Sequence, residues 1–215
     1  MSDRYEARGI EAEHEPGSHG RVLRNRLGIK RVRDIQQAES NALRAVQDWA
    51  LERFSPDHRF VAADICDLHR QWLGEIYAWA GEYRTVNLAK GDFFFAAAAQ
   101  IPRLMAEFER DELAVSTPCE GMDRDRLVLA LAHTHGELVI IHPFREGNGR
   151  CARLLAWLMA LQAGLPPLDF APLAGRGKRA YFAANQAVLE RDYGPLQACF
   201  EAVIRRSLRP YAAQC

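Results

Sequence analysis

Two apolar stretches with helical spacing, residues 124–140 and 150–163, are joined by Ile141-His142-Pro143-Phe144-Arg145-Glu146-Gly147-Asn148-Gly149-Arg150-Cys151-Ala152-Arg153. This junction constrains the chain more than any other feature. Gly147, Asn148 and Gly149 open the second helix, whose Leu154, Leu155, Trp157, Leu158, Met159 and Leu161 read as buried. A glycine turn at a helix start leaves backbone N–H groups free at the positive end of the dipole, which suits phosphate. Arg150 and Arg153 lie three apart on one face, so both can reach one polyphosphate chain. Glu146 is an oxygen ligand suited to a Mg²⁺ that bridges phosphates. His142 can take a hydroxyl proton near neutral pH. Pro143 biases it toward extended backbone, which projects the imidazole from a loop end. Phe144 is the apolar residue expected to anchor the loop in the core. The chemistry these residues suit is transfer of part of a nucleoside triphosphate onto a hydroxyl.

The surrounding chain supports one mostly α-helical domain. At 215 residues and 48 % apolar composition, a well-cored globule is expected. Helices are expected over about 33–54 with Asp34 as N-cap, 62–78, 98–115, 124–140 and 150–163. A last region, about 178–208, is expected to break near Gly194-Pro195. Val86, Leu88 and Phe93 to Phe95 flank Lys90-Gly91-Asp92 and predict one small β-hairpin. Residues 1–20 read as an irregular lead-in, 21–208 as the domain and 209–215 as a tail. No apolar run reaches membrane-spanning length, and the start lacks the apolar core of a secretory signal, so a cytosolic protein is expected. Zero formal net charge argues against a nucleic-acid-coating protein. The scattered, odd-numbered cysteines suggest neither a disulfide framework nor a zinc site. Cys151, at the helix start, is expected to be a small buried thiol.

The junction matches His-Pro-Phe-x-[Asp/Glu]-Gly-Asn-Gly-Arg-x-x-Arg at all nine fixed positions, and the chain therefore resembles a Fic-domain protein adenylyltransferase. Residues 22–29 resemble the segment leading into many bacterial Fic domains. Gly81 to Gly91 with Phe93 to Phe95 resembles the family's flap. The resemblance implies an all-α, Fic-type helical bundle with one small hairpin. It implies transfer of AMP from ATP to a Ser, Thr or Tyr hydroxyl of a target protein, with His142 as the general base. It further implies Mg²⁺ on Glu146, with Gly147, Asn148, Gly149, Arg150 and Arg153 holding the phosphates. Lys90 and Gly91 count with the nucleotide site, and a target docks at the flap, residues 84–96. Tyr181 and Asn185, four apart, are candidates for the adenine pocket, with ordinary helix packing as the alternative. Arg145 stands at the family's variable position and is assigned no role.

Many relatives carry an inhibitory [Ser/Thr]-x-x-x-Glu-[Gly/Asn] helix. Ser116-Thr117-Pro118-Cys119-Glu120-Gly121 matches the letters, but Pro118 makes it a poor helix interior. The chain thus resembles the toxin-like subgroup inhibited by a separate small antitoxin protein. His133 and His135, two apart on a helix, face different ways, and His135 and His142 straddle the expected helix end, so no zinc site is expected; His135 or Glu137 is expected to support His142. Two other classes of function stay open. One is a related transfer on the same scaffold: phosphate transfer, another nucleotide or removal of AMP. The other is a non-enzymatic module that binds a partner.

Overall fold

The structure is a computed structural model that describes residues 6–7, 13–91 and 93–212. The chain forms two compact units, each assembled from separate stretches. Residues 1–55, 61–106 and 141–151 make the first, and 56–60, 107–140 and 152–215 make the second.

The first unit is built on helices α1 (Val32–Arg53) and α2 (Ala62–Leu73). Ile35, Glu39, Val46 and Ala50 are the buried residues of α1, at spacings that keep them on one face. A carboxylate thus sits on an otherwise apolar stripe. The N-cap is Arg31, not the expected Asp34, which instead lies in the first turn where its charge favours the dipole. Asp64 accepts the Val61 N–H at 3.0 Å, closing the start of α2. That helix ends at Leu73, short of the expected 78. The Leu73 carbonyl takes both the Ile76 and Tyr77 N–H groups, so the chain turns away there. The turn brings Tyr77 and Trp79 into a stack with centroids 4.5 Å apart.

The expected hairpin is present as β2 (Leu88–Lys90) and β3 (Phe93–Phe94), paired Ala89 to Phe94 and Lys90 to Phe93. Asp92, within the turn, lies outside the described residues. A strand β1 (Glu6–Ala7) pairs antiparallel with β2, so the lead-in carries sheet structure where an irregular segment was expected. Phe93 and Phe95 are part-buried and Phe94 is 77 % exposed. Helix α3 (Ile101–Phe108) follows and continues through a π turn, Glu109–Leu113, into the short α4 (Ala114–Ser116).

The second unit holds most of α5 (Arg124–Ile141) and α6 (Asn148–Gln162), together with α7 (Lys178–Ala187) and α8 (Gly194–Ala212). The Asp123 carboxylate accepts the Arg126 N–H at 2.8 Å and caps α5. Cys151, Ala152 and every residue from Leu154 to Ala160 in α6 are buried. A helix apolar on all sides is a core helix. The break between α7 and α8 falls at Arg191, in left-handed conformation, just ahead of the expected Gly194-Pro195. Helix α8 runs on through Pro210 to Ala212, into the expected tail. Among the described residues, no helix is long and apolar enough to cross a membrane.

Gly136 is a point of close packing in α5. A Cβ there would meet Val188 Cγ2 at 2.8 Å and Leu196 Cδ1 at 2.9 Å. We predict that Gly136→Val destabilises the protein by roughly 1–3 kcal/mol, the usual cost of overpacking. Thermal unfolding monitored by circular dichroism should show a midpoint lowered by several degrees. An unchanged midpoint would mean that this contact relaxes freely.

Candidate active site

Pro143 forbids right-handed helix at the residue before it, and α5 accordingly ends at Ile141. His142 does not become extended as expected. It takes a left-handed φ of 54°, a conformation that costs a non-glycine residue about 1–3 kcal/mol. The surroundings hold it there. Buried Arg84 donates through Nε to the His142 carbonyl at 2.7 Å, and its backbone N–H binds the Pro143 carbonyl at 2.8 Å. The same guanidinium donates to the carbonyls of Val86 and Ala96, both at 2.5 Å, at the two ends of the hairpin. Phe95 stacks on the imidazole with centroids 3.7 Å apart. His142 is therefore buried beneath the flap, where projection from a loop end was expected.

The turn that opens α6 is built by Asn148. Its side-chain oxygen accepts the Phe144 N–H and its amide donates to the Phe144 carbonyl, both at 2.8 Å. That side chain holds the loop, which leaves only the Asn148 backbone for other partners. Phe144 is fully buried, as expected. Gly147 has φ +86°, and a Cβ there would meet Trp72 at 2.7 Å, so glycine is required both conformationally and sterically. The first intrahelical bonds of α6 run from Arg150 and Cys151 to the Gly147 carbonyl. The Asn148 and Gly149 N–H groups precede these bonds and lie at the positive helix end. Cys151 is 1 % exposed, and burial pushes its thiol up, outweighing any help from the dipole.

Buried His69 supports this loop from α2. Gly81 N–H donates to its Nδ1 at 2.8 Å, which leaves Nε2–H to donate to the Glu146 carbonyl at 3.0 Å. Its ring lies on Phe144 at 3.8 Å, nearly parallel at 7°. The Glu146 carboxylate accepts the Gly147 N–H at 2.9 Å and lies 3.5 Å from Arg150. Arg150 makes its closer ion pair, at 2.7 Å, with Glu39 of α1.

Arg153 stands one turn beyond Arg150 on α6, in the second unit. Burial pushes the Tyr181 phenol up, and the nearby Arg153 charge works against that shift. Tyr181 also bonds His135 Nε2 at 2.6 Å, and Asn185 is buried with its amide on the Tyr181 carbonyl. His135 or Glu137 was expected to support His142; His135 Nε2 bonds the Tyr181 hydroxyl, and the Glu137 carboxylate accepts the Tyr193 hydroxyl. Lys90 and Gly91 form the hairpin tip, with Gly91 left-handed at φ 59°. Among the described residues, no group of three or more His, Cys, Asp or Glu could hold a metal by itself.

Sequence reasoning missed Glu39, His69 and Arg84. Glu39 follows Ile35 by four residues on the apolar face of α1, and His69 holds the same relation to Ile65 in α2. Polar residues on a core stripe were the available signal. Arg84 lies in irregular chain and gave none.

Residues 59–160 match the Fic/DOC family. The chain is 32 % identical over 212 residues to the "Probable protein adenylyltransferase Fic" of Salmonella typhimurium strain LT2, covering 95 % of this chain and 96 % of the relative. The chain belongs to the Fic/DOC family. A second Fic relative, the "Probable protein adenylyltransferase Fic" of Escherichia coli K12, is 32 % identical over 214 residues, covering 95 % of this chain and 96 % of its own length. The fold is also that of BepC from Bartonella tribocorum, a structure with bound AMPPNP. That likeness has a TM-score of 0.67 at 22 % identity, covering 84 % of this chain and 91 % of that one.

Two predictions follow from this Fic site. Burial holds His69 down to about 4 and His135 down to about 3. Unfolded imidazoles protonate near 6.5. Their contribution to stability is therefore complete above pH 6.5 and is lost as pH falls toward 4, when the unfolded chain takes up protons that the folded protein refuses. Glu112 acts oppositely: burial and neighbouring Glu137 push its carboxyl up to about 7. The signature thus lies in a difference. The stability gap between wild type and His69→Gln should shrink between pH 7 and pH 4.5 in urea titrations; a constant gap would contradict a neutral buried His69. Separately, Arg84→Gln should release both hairpin ends and the His142 carbonyl. Proteolysis should then cut near residues 84–96 faster than in wild type, and equal cutting rates would count against the clamp.

Proposed function

We propose that the chain transfers AMP from ATP to a hydroxyl of a target protein, as a protein adenylyltransferase. The observation that carries this reading is the loop itself. A buried histidine precedes a glycine turn that opens α6, and two arginines follow one turn apart on that helix. Neutral His142 takes the proton of the Ser, Thr or Tyr hydroxyl, a contribution of roughly 10²–10⁴-fold. The hydroxyl oxygen bonds the α-phosphorus, the bond from that phosphorus to the bridging oxygen breaks, and pyrophosphate leaves. Arg150, Arg153 and the first N–H groups of α6 offset the charge that gathers on pyrophosphate. Phe95 on the imidazole keeps water from competing for the base.

Glu146 fits a Mg²⁺ that arrives with the nucleotide. It is a part-buried hard carboxylate at the phosphate-binding turn, and Mg²⁺ needs few protein ligands when phosphates and water supply the rest. When bound, the ion neutralises phosphate charge. Lys90 and Gly91 at the hairpin tip and Tyr181 and Asn185 on α7 belong to the nucleotide site in this reading. The edge of β3, with Phe94 77 % exposed, offers main-chain groups to an extended target segment, residues 84–96 forming the docking face. Control by a separate small inhibitory protein, in a toxin-like role, fits the Ser116–Gly121 segment. From Thr117 to Asp123 it is non-helical, with Glu120 exposed, unlike an inhibitory helix.

The test uses ATP labelled at the α- or γ-phosphate with cell extract. Label should enter protein from α-labelled ATP alone. His142→Ala should lose at least about 100-fold in single-turnover rate while ATP affinity by calorimetry stays close to wild type. Transfer of γ-label, or a His142→Ala variant as active as wild type, would refute the assignment.

A further inference from the structure

Arg150 is held in a frame that the transfer chemistry leaves unexplained. Its Nη1 bonds Glu39 Oε2 at 2.7 Å, and its guanidinium lies 4.7 Å above the Trp72 ring. Glu39 is 5 % exposed and is itself held from two further directions. Tyr77 donates its hydroxyl to Oε1 at 2.6 Å, and the Trp72 indole N–H donates to the Glu39 carbonyl at 2.9 Å. Burial and adjacent Glu39 push the Tyr77 phenol up, so it stays a donor. Both carboxylate oxygens therefore have donors, and the ring beneath Arg150 is tied to the same residue. A buried carboxylate costs stability unless it is fully bonded, and it fixes direction when it is.

We infer that Glu39 is a positioning residue for the triphosphate. It aims Arg150 at the phosphates, with Tyr77 and Trp72 setting its own orientation. This rests on the reading of Arg150 as a phosphate-binding arginine. The guanidinium presents five donors in a rigid fork. One edge is spent on Glu39 and one face on Trp72, and Nη2 lies 3.5 Å from Glu146, so the fork has little freedom to turn before a nucleotide arrives. A free arginine would instead sample many rotamers and lose entropy on binding.

Calorimetry with Mg-ATP and with AMP tests this on wild type, Glu39→Gln, Tyr77→Phe, Arg150→Ala and the double variant Glu39→Gln/Arg150→Ala. Glu39→Gln should weaken Mg-ATP binding on the order of tenfold, as expected for loss of a charge-assisted bond. AMP, which lacks the phosphates assigned to Arg150, should bind as before. Tyr77→Phe, which keeps the ion pair, should move in the same direction by a smaller factor and covers the case of a misfolded Glu39→Gln. In the Arg150→Ala background, Glu39→Gln should add nothing. Equal losses for ATP and AMP, the same loss with and without Arg150, or tighter ATP binding in Glu39→Gln would each overturn the inference. The last result would make Glu39 a restraint on Arg150. Transfer of α-label by wild type separates the two levels. Its absence refutes the functional reading, whereas active wild type with an unaffected Glu39→Gln refutes this inference alone.

Discussion

The Arg84 guanidinium is the constraint on which the catalytic loop depends. It is a buried cation whose hydrogen bonds go to main-chain carbonyls at three places: the end of α5 at His142, and both ends of the hairpin at Val86 and Ala96. A carbonyl left unpaired in the interior is costly, so each bond secures a stretch of backbone that has no regular secondary structure to satisfy it. The strained φ of His142 persists because this clamp and the Phe95 ring over-determine it. One side chain thereby sets His142 and the hairpin relative to each other.

A second system fixes the other end of the loop, at Glu146. His69 joins the Gly81 turn to Glu146, and its ring continues a line of aromatic contacts through Trp79 to Tyr77 and through Phe144 into the loop. The protonation state matters here. Nδ1 must accept and Nε2 must donate, which a doubly protonated imidazole cannot do. Burial keeps the ring neutral, so the pillar is stable at neutral pH and fails in acid. The frame is built for rigidity, which a site relying on preorganised charge requires.

Arg150 and Arg153 are three residues apart and look equivalent in the chain, yet their settings differ. Arg150 is partnered by a buried carboxylate, whereas Arg153 lies beside the Tyr181 phenol and close enough to His135 to depress its imidazole. One arginine is offset by a negative charge, and the other stands near a phenol and a buried imidazole. Their electrostatic surroundings therefore differ, although the motif treats them alike.

The helical bundle, the single hairpin and the family were legible in the residues themselves. Apolar spacing marks the helices, Pro143 and the glycine turn mark their ends, and the motif from His142 to Arg153 marks the family. These are local signals, carried within one or two turns of chain. The extra strand β1, the early end of α2, the left-handed His142 and the exposed Phe94 were not legible. Each depends on a partner distant in the chain, or on a carbonyl taken by two donors. The supporting groups were hidden for the same reason. Glu39 lies 111 residues from Arg150, and His69 lies 77 from Glu146. A sequence discloses which groups can do chemistry, because reactivity belongs to the residue. The tertiary structure alone decides where they point, because orientation comes from buried hydrogen bonds whose two ends have no relation in the chain.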